Sequence, residues 1–304
     1  MLPPPVQRPL FALVLRFVAG IALASTIALV KYIAQGGIHL AEILFWRQIV
    51  TVPLILGYFA GRGEMARLRT DRLPVHGRRA AIGVMGMFLN FGAAILLPLA
   101  ESTTLGFTTP IFAVILSALI LREHVGPVRW LAVALGFAGV LVIAQPGQAH
   151  MPPFGTAVGL SAGLMVALIS IQVRDLGRTD EPLSIVFWFA ALSSPILALA
   201  MPFVAQAHSP RQWLLLGALG VLGCAAQLLL TASLRVGKVA SVVVIDYTTL
   251  IWATLYGWLI WDRLPGLATW LGAPLVIAAG VVIVMREHRL SRAPSEPQVA
   301  ATAA

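Results

Sequence analysis

The 304-residue chain is 59% hydrophobic and only 11% charged, with a mean hydropathy of +0.90. Soluble domains carry about 25% charged residues, so this composition cannot coat a water-facing surface. A formal net charge of +9 would fit a nucleic-acid binder, but the placement of the basic residues argues against one, and the lone Cys224 excludes a disulfide framework or a multi-cysteine metal site.

A membrane-spanning helix needs about 20 apolar residues, so ten of them with short loops take up nearly the whole chain. The apolar runs predict spans at 10–34, 38–60, 78–99, 102–121, 128–145, 155–176, 183–205, 212–234, 239–261 and 267–285. Helices are expected, because in lipid only a helix or a closed barrel satisfies its own backbone groups. The first run has the look of a signal peptide, with Ala22-Leu23-Ala24 as a cleavage site, but the apolar stretches that follow favour a first span. The longest loop runs from Gly61 to Gly77, and the polar tail, 289–304, is expected to be disordered.

Assigning alternate loops to opposite faces puts 17 of the 21 basic residues on one side, among them Arg16, Arg62, Arg67, Arg72, Arg129 and Lys238. Arg211 and Arg263 fall on the other side, and Lys31 and Arg47 fall inside spans. By the positive-inside rule both termini are expected in the cytoplasm, with the chain in the inner membrane.

The second half echoes the first. Phe45-Trp46 precedes Pro53, and Phe187-Trp188 precedes Pro195 at the same spacing, an offset of 142. Lys31 matches Arg174, Gly83 and Gly86 match Gly217 and Gly220, and Glu123 and Trp130 roughly match Asp262 and Trp270. Five spans is an odd number, so the second copy must cross in the opposite sense. The expected fold is all-α integral membrane, ten helices as two inverted-topology repeats (1–147 and 148–288). Such repeats place a substrate site near the midplane.

"FWRQ" in the second span, "LILREHVGPVRWLAVALGFAGVLVI" across the fourth and fifth, and "GWLIWDRLPGLATWLGAPLVIAAGVVIV" in the second copy resemble the drug/metabolite transporter superfamily, EamA type. The resemblance covers nearly the whole chain. It implies a permease in which spans one to four and six to nine surround a central cavity, with five and ten at the periphery. Members move amino acids, drugs, nucleosides and other metabolites, and this chain is most similar to the amino-acid exporters.

Polar groups within spans usually face a bundle interior or a water-filled cavity. Asp246 reads as the one acid well inside a span, either a proton carrier or amine counter-ion, or half of a structural ion pair. Gly220, Cys224, Gln227 and Thr231 draw a small, polar face down the eighth span, and Asn90 holds a corresponding place in the third. These faces either line a cavity or pack tightly against neighbouring helices. Thr104, Thr108 and Thr109 precede Pro110, where a helix break is expected; the threonines border a site or bond their own backbone. Tyr247, Trp252 and Tyr256 form an aromatic wall for substrate or anchor the interface. Arg47 pairs with Glu42, Asp246 or a substrate carboxylate, and structural pairing or snorkelling is the favoured expectation. Lys31 and Arg174 are expected to anchor span ends, and Glu123 and Asp262 to cap them. The residues expected to contact substrate or couple its movement are Asn90, Thr108, Gln227, Asp246 and Tyr247.

No phosphate-binding P-loop, HExxH or GxSxG occurs, and the six histidines are scattered without ligand spacing. No cofactor, nucleic-acid partner or enzymatic activity is expected. The expected partners are a small-molecule substrate, the lipid bilayer and protons. An exporter of amino acids or similar metabolites is the leading reading. Multidrug efflux or uptake on the same fold is the alternative, and a membrane enzyme or receptor is a more distant one.

Overall fold

A computed structural model describes residues 9–119, 125–145, 152–177, 179–236 and 245–290, and among them there is no strand. The helices are α1 (Pro9–Gln35), α2 (Leu40–Gly61), α3 (Leu73–Leu96), α4 (Leu99–Gly106), α5 (Thr109–Leu119), α6 (Pro127–Ala144) and α7 (Pro153–Leu176). They continue as α8 (Pro182–Ala198), α9 (Met201–Val204), α10 (Pro210–Val236), α11 (Thr249–Trp261) and α12 (Leu267–Leu290). Among the described residues, eight helical stretches are long and apolar enough to cross a membrane, with α4 and α5 counted as one. Helix α8, at 17 residues, is apolar but shorter. The chain is a multi-pass membrane protein. Glu123 and the tail beyond residue 290 lie outside the described residues.

Helix ends follow local chemistry. Proline opens α6, α7 and α8, where the missing N–H would have had no partner in any case. Between α4 and α5 the fourth span breaks before Pro110, as proline's lost donor requires. Asp262 ends α11 in a left-handed conformation (φ 51°), its N–H donating to the Gly257 and Trp258 carbonyls. This is the expected cap, made through its backbone.

Helix packing repeats across the two halves. α1 lies along α10, and α3 along α7; α2 also meets α10, and α8 meets α3. α11 packs on α1, and α4 and α5 pack on α7. Each pair becomes the other when first-half helices are exchanged for their second-half counterparts. α2 packs on α8 and α6 on α12, pairs that such an exchange leaves unchanged. Side-chain geometry repeats as well: Phe45–Trp46 ring centroids are 5.3 Å apart at 73°, and Phe187–Trp188 centroids 5.4 Å apart at 72°.

α6 and α12 touch backbone to backbone. A Cβ on Gly139 would stand 2.8 Å from the Gly272 carbonyl oxygen, and one on Gly272 would stand 2.6 Å from that of Gly139. Small residues allow this approach in membranes, where no hydrophobic drive holds helices together. Leu119, Leu131, Phe154, Leu214, Leu267 and Leu271 are exposed and present apolar surface outward.

Candidate functional site

Most polar ties between the two halves lie at the two ends of the bundle, with Ser25–Tyr256 and Gln48–Ser193 crossing between them. At one end, Arg67 donates to both carboxylate oxygens of Glu181, Arg72 pairs with Asp175 at 2.5 Å, and Trp188 Nε1 donates to the Leu68 carbonyl at 2.8 Å. In the adjoining loop, burial pushes the Asp180 carboxyl up. Hydrogen bonds from Thr179, Thr70 and His76 outweigh that push and hold it below the ordinary carboxylate range.

At the same end, Arg16 clasps Asp246: Nε meets Oδ1 and Nη2 meets Oδ2, each at 2.5 Å. The third nitrogen, Nη1, reaches the Leu230 carbonyl and Ser233 Oγ at 3.4 Å. One guanidinium thus binds α1 to α10 and to the turn before α11. Arg16 stands at the end shared with Arg67 and Arg72, the side it was expected on, but two turns inside α1 and buried. Two further acids, Glu42 and Glu101, stand in the first turns of α2 and α4 and are more buried than Asp246, at 1% and 6% exposed.

At the opposite end, Glu42 Oε1 and His208 Nε2 are 2.6 Å apart, and both side chains are buried. Trp213 closes over them, edge-on to both His208 and Trp46. Gln206 donates to the Gly37 carbonyl, Arg211 to Tyr32 Oη and Trp261 Nε1 to Gln35. Lys31 was expected to anchor a span end. Instead it turns inward, donates to the Leu97 carbonyl and sits 5.6 Å from the Trp261 ring centroid. The side chain of Arg174, its expected counterpart, lies outside the described residues.

Between these two belts lies Arg47, on α2. It neither snorkels nor pairs with Glu42 or Asp246. Nη1 donates to Gln48 Oε1 at 2.8 Å and lies 3.5 Å from Met87 Sδ. Gln48 Nε2 in turn donates to Ser193 Oγ on α8 at 2.7 Å. The guanidinium lies 5.5 Å from the Phe91 ring centroid, against α3, and α10 closes on it through Gly223, where a Cβ would stand 2.8 Å from Nε. Nε is buried without a hydrogen-bond partner.

Asn90 lies one turn from Met87 on α3, and Gln227 one turn from Gly223 on α10, both half-buried. Each thus stands one turn from a residue that touches Arg47. Thr108 lies elsewhere. It is fully buried in the α4–α5 break and donates to the Leu105 carbonyl at 2.6 Å, while Thr104 and Thr109 likewise bond their own backbone. Tyr247 packs edge-on to Phe107 at 4.8 Å, with its buried hydroxyl unpartnered above Gly280. A cleft of about 430 Å³ runs beside Tyr247, Thr248, Ile251 and Trp270.

The five expected residues thus form two groups: Asn90 and Gln227, each one turn from a contact of Arg47, and Thr108, Asp246 and Tyr247, at the α4–α5 break and the turn before α11. An ion pair was one of the two readings of Asp246, but Arg16 as its partner, the Glu42–His208 pair and the enclosure of Arg47 were not anticipated. One signal was available for Arg47: no acid stands three or four residues from it, so its own helix cannot neutralise it.

The comparisons agree with this architecture. The EamA-like transporter family matches residues 10–145 and again 153–285. A riboflavin transporter of Vibrio cholerae serotype O1 is 29% identical over 289 residues, 94% of this chain and 97% of that one. The pseudopaline exporter CntI of Pseudomonas aeruginosa is 31% identical over 268 residues, 87% of this chain and 90% of that one. A protein known by its crystal structure superposes with a TM-score of 0.63 at 22% identity, covering 93% of this chain and 99% of that chain, and shares its fold. Two family matches in tandem cover nearly the whole chain, which belongs to the EamA-like transporters of the drug/metabolite transporter group.

Proposed function

We propose that the chain is a secondary transporter, an inner-membrane exporter of amino acids or similar small metabolites. In this reading ten spans form two inverted five-helix repeats, 1–147 and 148–288, with both termini cytoplasmic. The carrying observation is the exchange symmetry of the packing, with polar ties between halves concentrated at both ends and buried polar groups between them. A carrier working by alternating access must break one belt while keeping the other. Asp246, through its clasp with Arg16, would act in that gating and offers a carboxylate for proton coupling. Asn90 and Gln227 would face the substrate near Arg47, and Thr108 and Tyr247 would mark hinges at the α4–α5 break and at the turn before α11. Uptake of a flavin-like aromatic metabolite is the second reading, favoured by the riboflavin-transporter relatives and by the Phe107–Tyr247 aromatic pair.

The test is uptake of radiolabelled amino acids and riboflavin into liposomes holding only the purified protein, with and without a proton gradient. Saturable flux is expected for at least one amino acid, and acceleration by the gradient would make Asp246 the first residue to replace. Flux of riboflavin alone would favour the second reading. No flux of any compound would sink transport of either class.

A further inference from the structure

We propose that Arg47 is the anion-recognition residue of the transport site and that the carried molecules bear a free carboxylate. This rests on the transport reading above. Arg47 is 8% exposed, and no carboxylate among the described residues lies within salt-bridge distance of it. A buried charge is normally paired or coordinated, because leaving water costs it heavily. The immediate neighbours of this one are an amide, a thioether, a phenyl ring, a glycine and the Cys224 thiol.

A second guanidinium repeats the pattern on the same helix seam. Arg79 on α3 is buried over the Phe189 ring at 4.0 Å, with Nε and Nη1 unpartnered. Phe189 lies one turn along α8 from Ser193, the partner of Gln48. Along the α2–α3–α8 seam two guanidiniums thus stand without a carboxylate partner among the described residues, while the acids at its ends, Glu42 on α2 and Asp180 before α8, are engaged by His208 and His76. Such a field favours an organic anion over an amine or a neutral solute.

The same protein shows how its arginines hold a carboxylate. Arg16 takes both oxygens of Asp246 through Nε and Nη2, and at Arg47 Nε has no acceptor. Helix α10 covers that edge, with Gly223 allowing the close approach. A carboxylate reaching Nε must part α10 from α2, so charge recognition is tied to separation of helices from opposite halves.

The decisive experiment compares matched probes in proteoliposomes: L-phenylalanine against L-phenylalaninamide, succinate against succinamide, with riboflavin as a neutral solute. Wild-type protein is expected to carry at least one acid with roughly tenfold or greater preference over its amide, as befits a desolvated charge pair. Arg47→Gln should erase that preference and Arg47→Lys, which keeps the charge but loses the fork, should retain part of it. Arg47→Met supplies a readout that a structural arginine would not give. Removing a buried charge that has no carboxylate partner should hold or raise Tm in detergent despite the lost bond to Gln48, whereas a structural arginine would lower it.

Equal carriage of acid and amide by wild type, or a preference that survives Arg47→Gln, overturns the proposal. Riboflavin flux indifferent to Arg47, with no acid carried, overturns it while leaving the transport reading intact. No flux of any probe removes both.

Discussion

At the residue scale the most exacting geometry is the Arg16–Asp246 clasp. Losing one partner of a buried pair costs about 3–5 kcal/mol. Asp246 is 32% exposed, so water offsets part of that and Asp246→Asn is expected to cost about 1–2 kcal/mol. The double variant Asp246→Asn with Arg16→Gln should recover most of the loss, because no unpaired guanidinium is left behind. Thermal unfolding in detergent measures both, and additive losses would mean that the clasp holds nothing. In the sequence, Asp246 was legible as an acid within a span. Its partner was not, because 230 residues separate the two and the rotation of α1 within the bundle sets the contact. His208 was passed over for the same reason, since the Glu42 that it meets is 166 residues away.

Elements were more legible than contacts. Hydropathy located the helices because the bilayer imposes both their length and their composition, and Pro110 marked the break in the fourth span. The division of the seventh span into α8 and α9 went unread, as did the seam where α6 meets α12, because many glycines in this chain stand in open space. Space around the absent Cβ separates the two kinds. Gly139→Ala would push a methyl to within 2.8 Å of a backbone oxygen that cannot yield, and overpacking of this kind costs about 1–3 kcal/mol. Gly217, on α10, has nothing within 4 Å, so Gly217→Ala should be neutral or gain up to about 1 kcal/mol from helix propensity. Unfolding midpoints of the two variants would separate these expectations. Equal midpoints would mean that the α6–α12 contact yields freely.

At the scale of the whole molecule, the sequence repeat at an offset of 142 foretold the pairing of the halves, but not that both ends would be tied at once. With both belts closed, Arg47 and the single cysteine next to Gly223 are sealed inside: Cys224 is 4% exposed. That cysteine can report which end opens. In wild-type vesicles of known orientation it should react slowly with a membrane-impermeant thiol reagent. Breaking the Arg16–Asp246 clasp with Asp246→Asn should speed labelling from the side bearing Arg67 and Arg72. Breaking the other belt with Glu42→Gln should speed it from the side bearing His208 and Arg211. A population shift of about 1.4 kcal/mol is a tenfold change in the open fraction, large enough to read as a rate. Opposite sidedness in the two variants is what exchange between inward- and outward-open forms requires. Labelling that rises from both faces in either variant would indicate local loosening and would remove the case for alternating access in this chain.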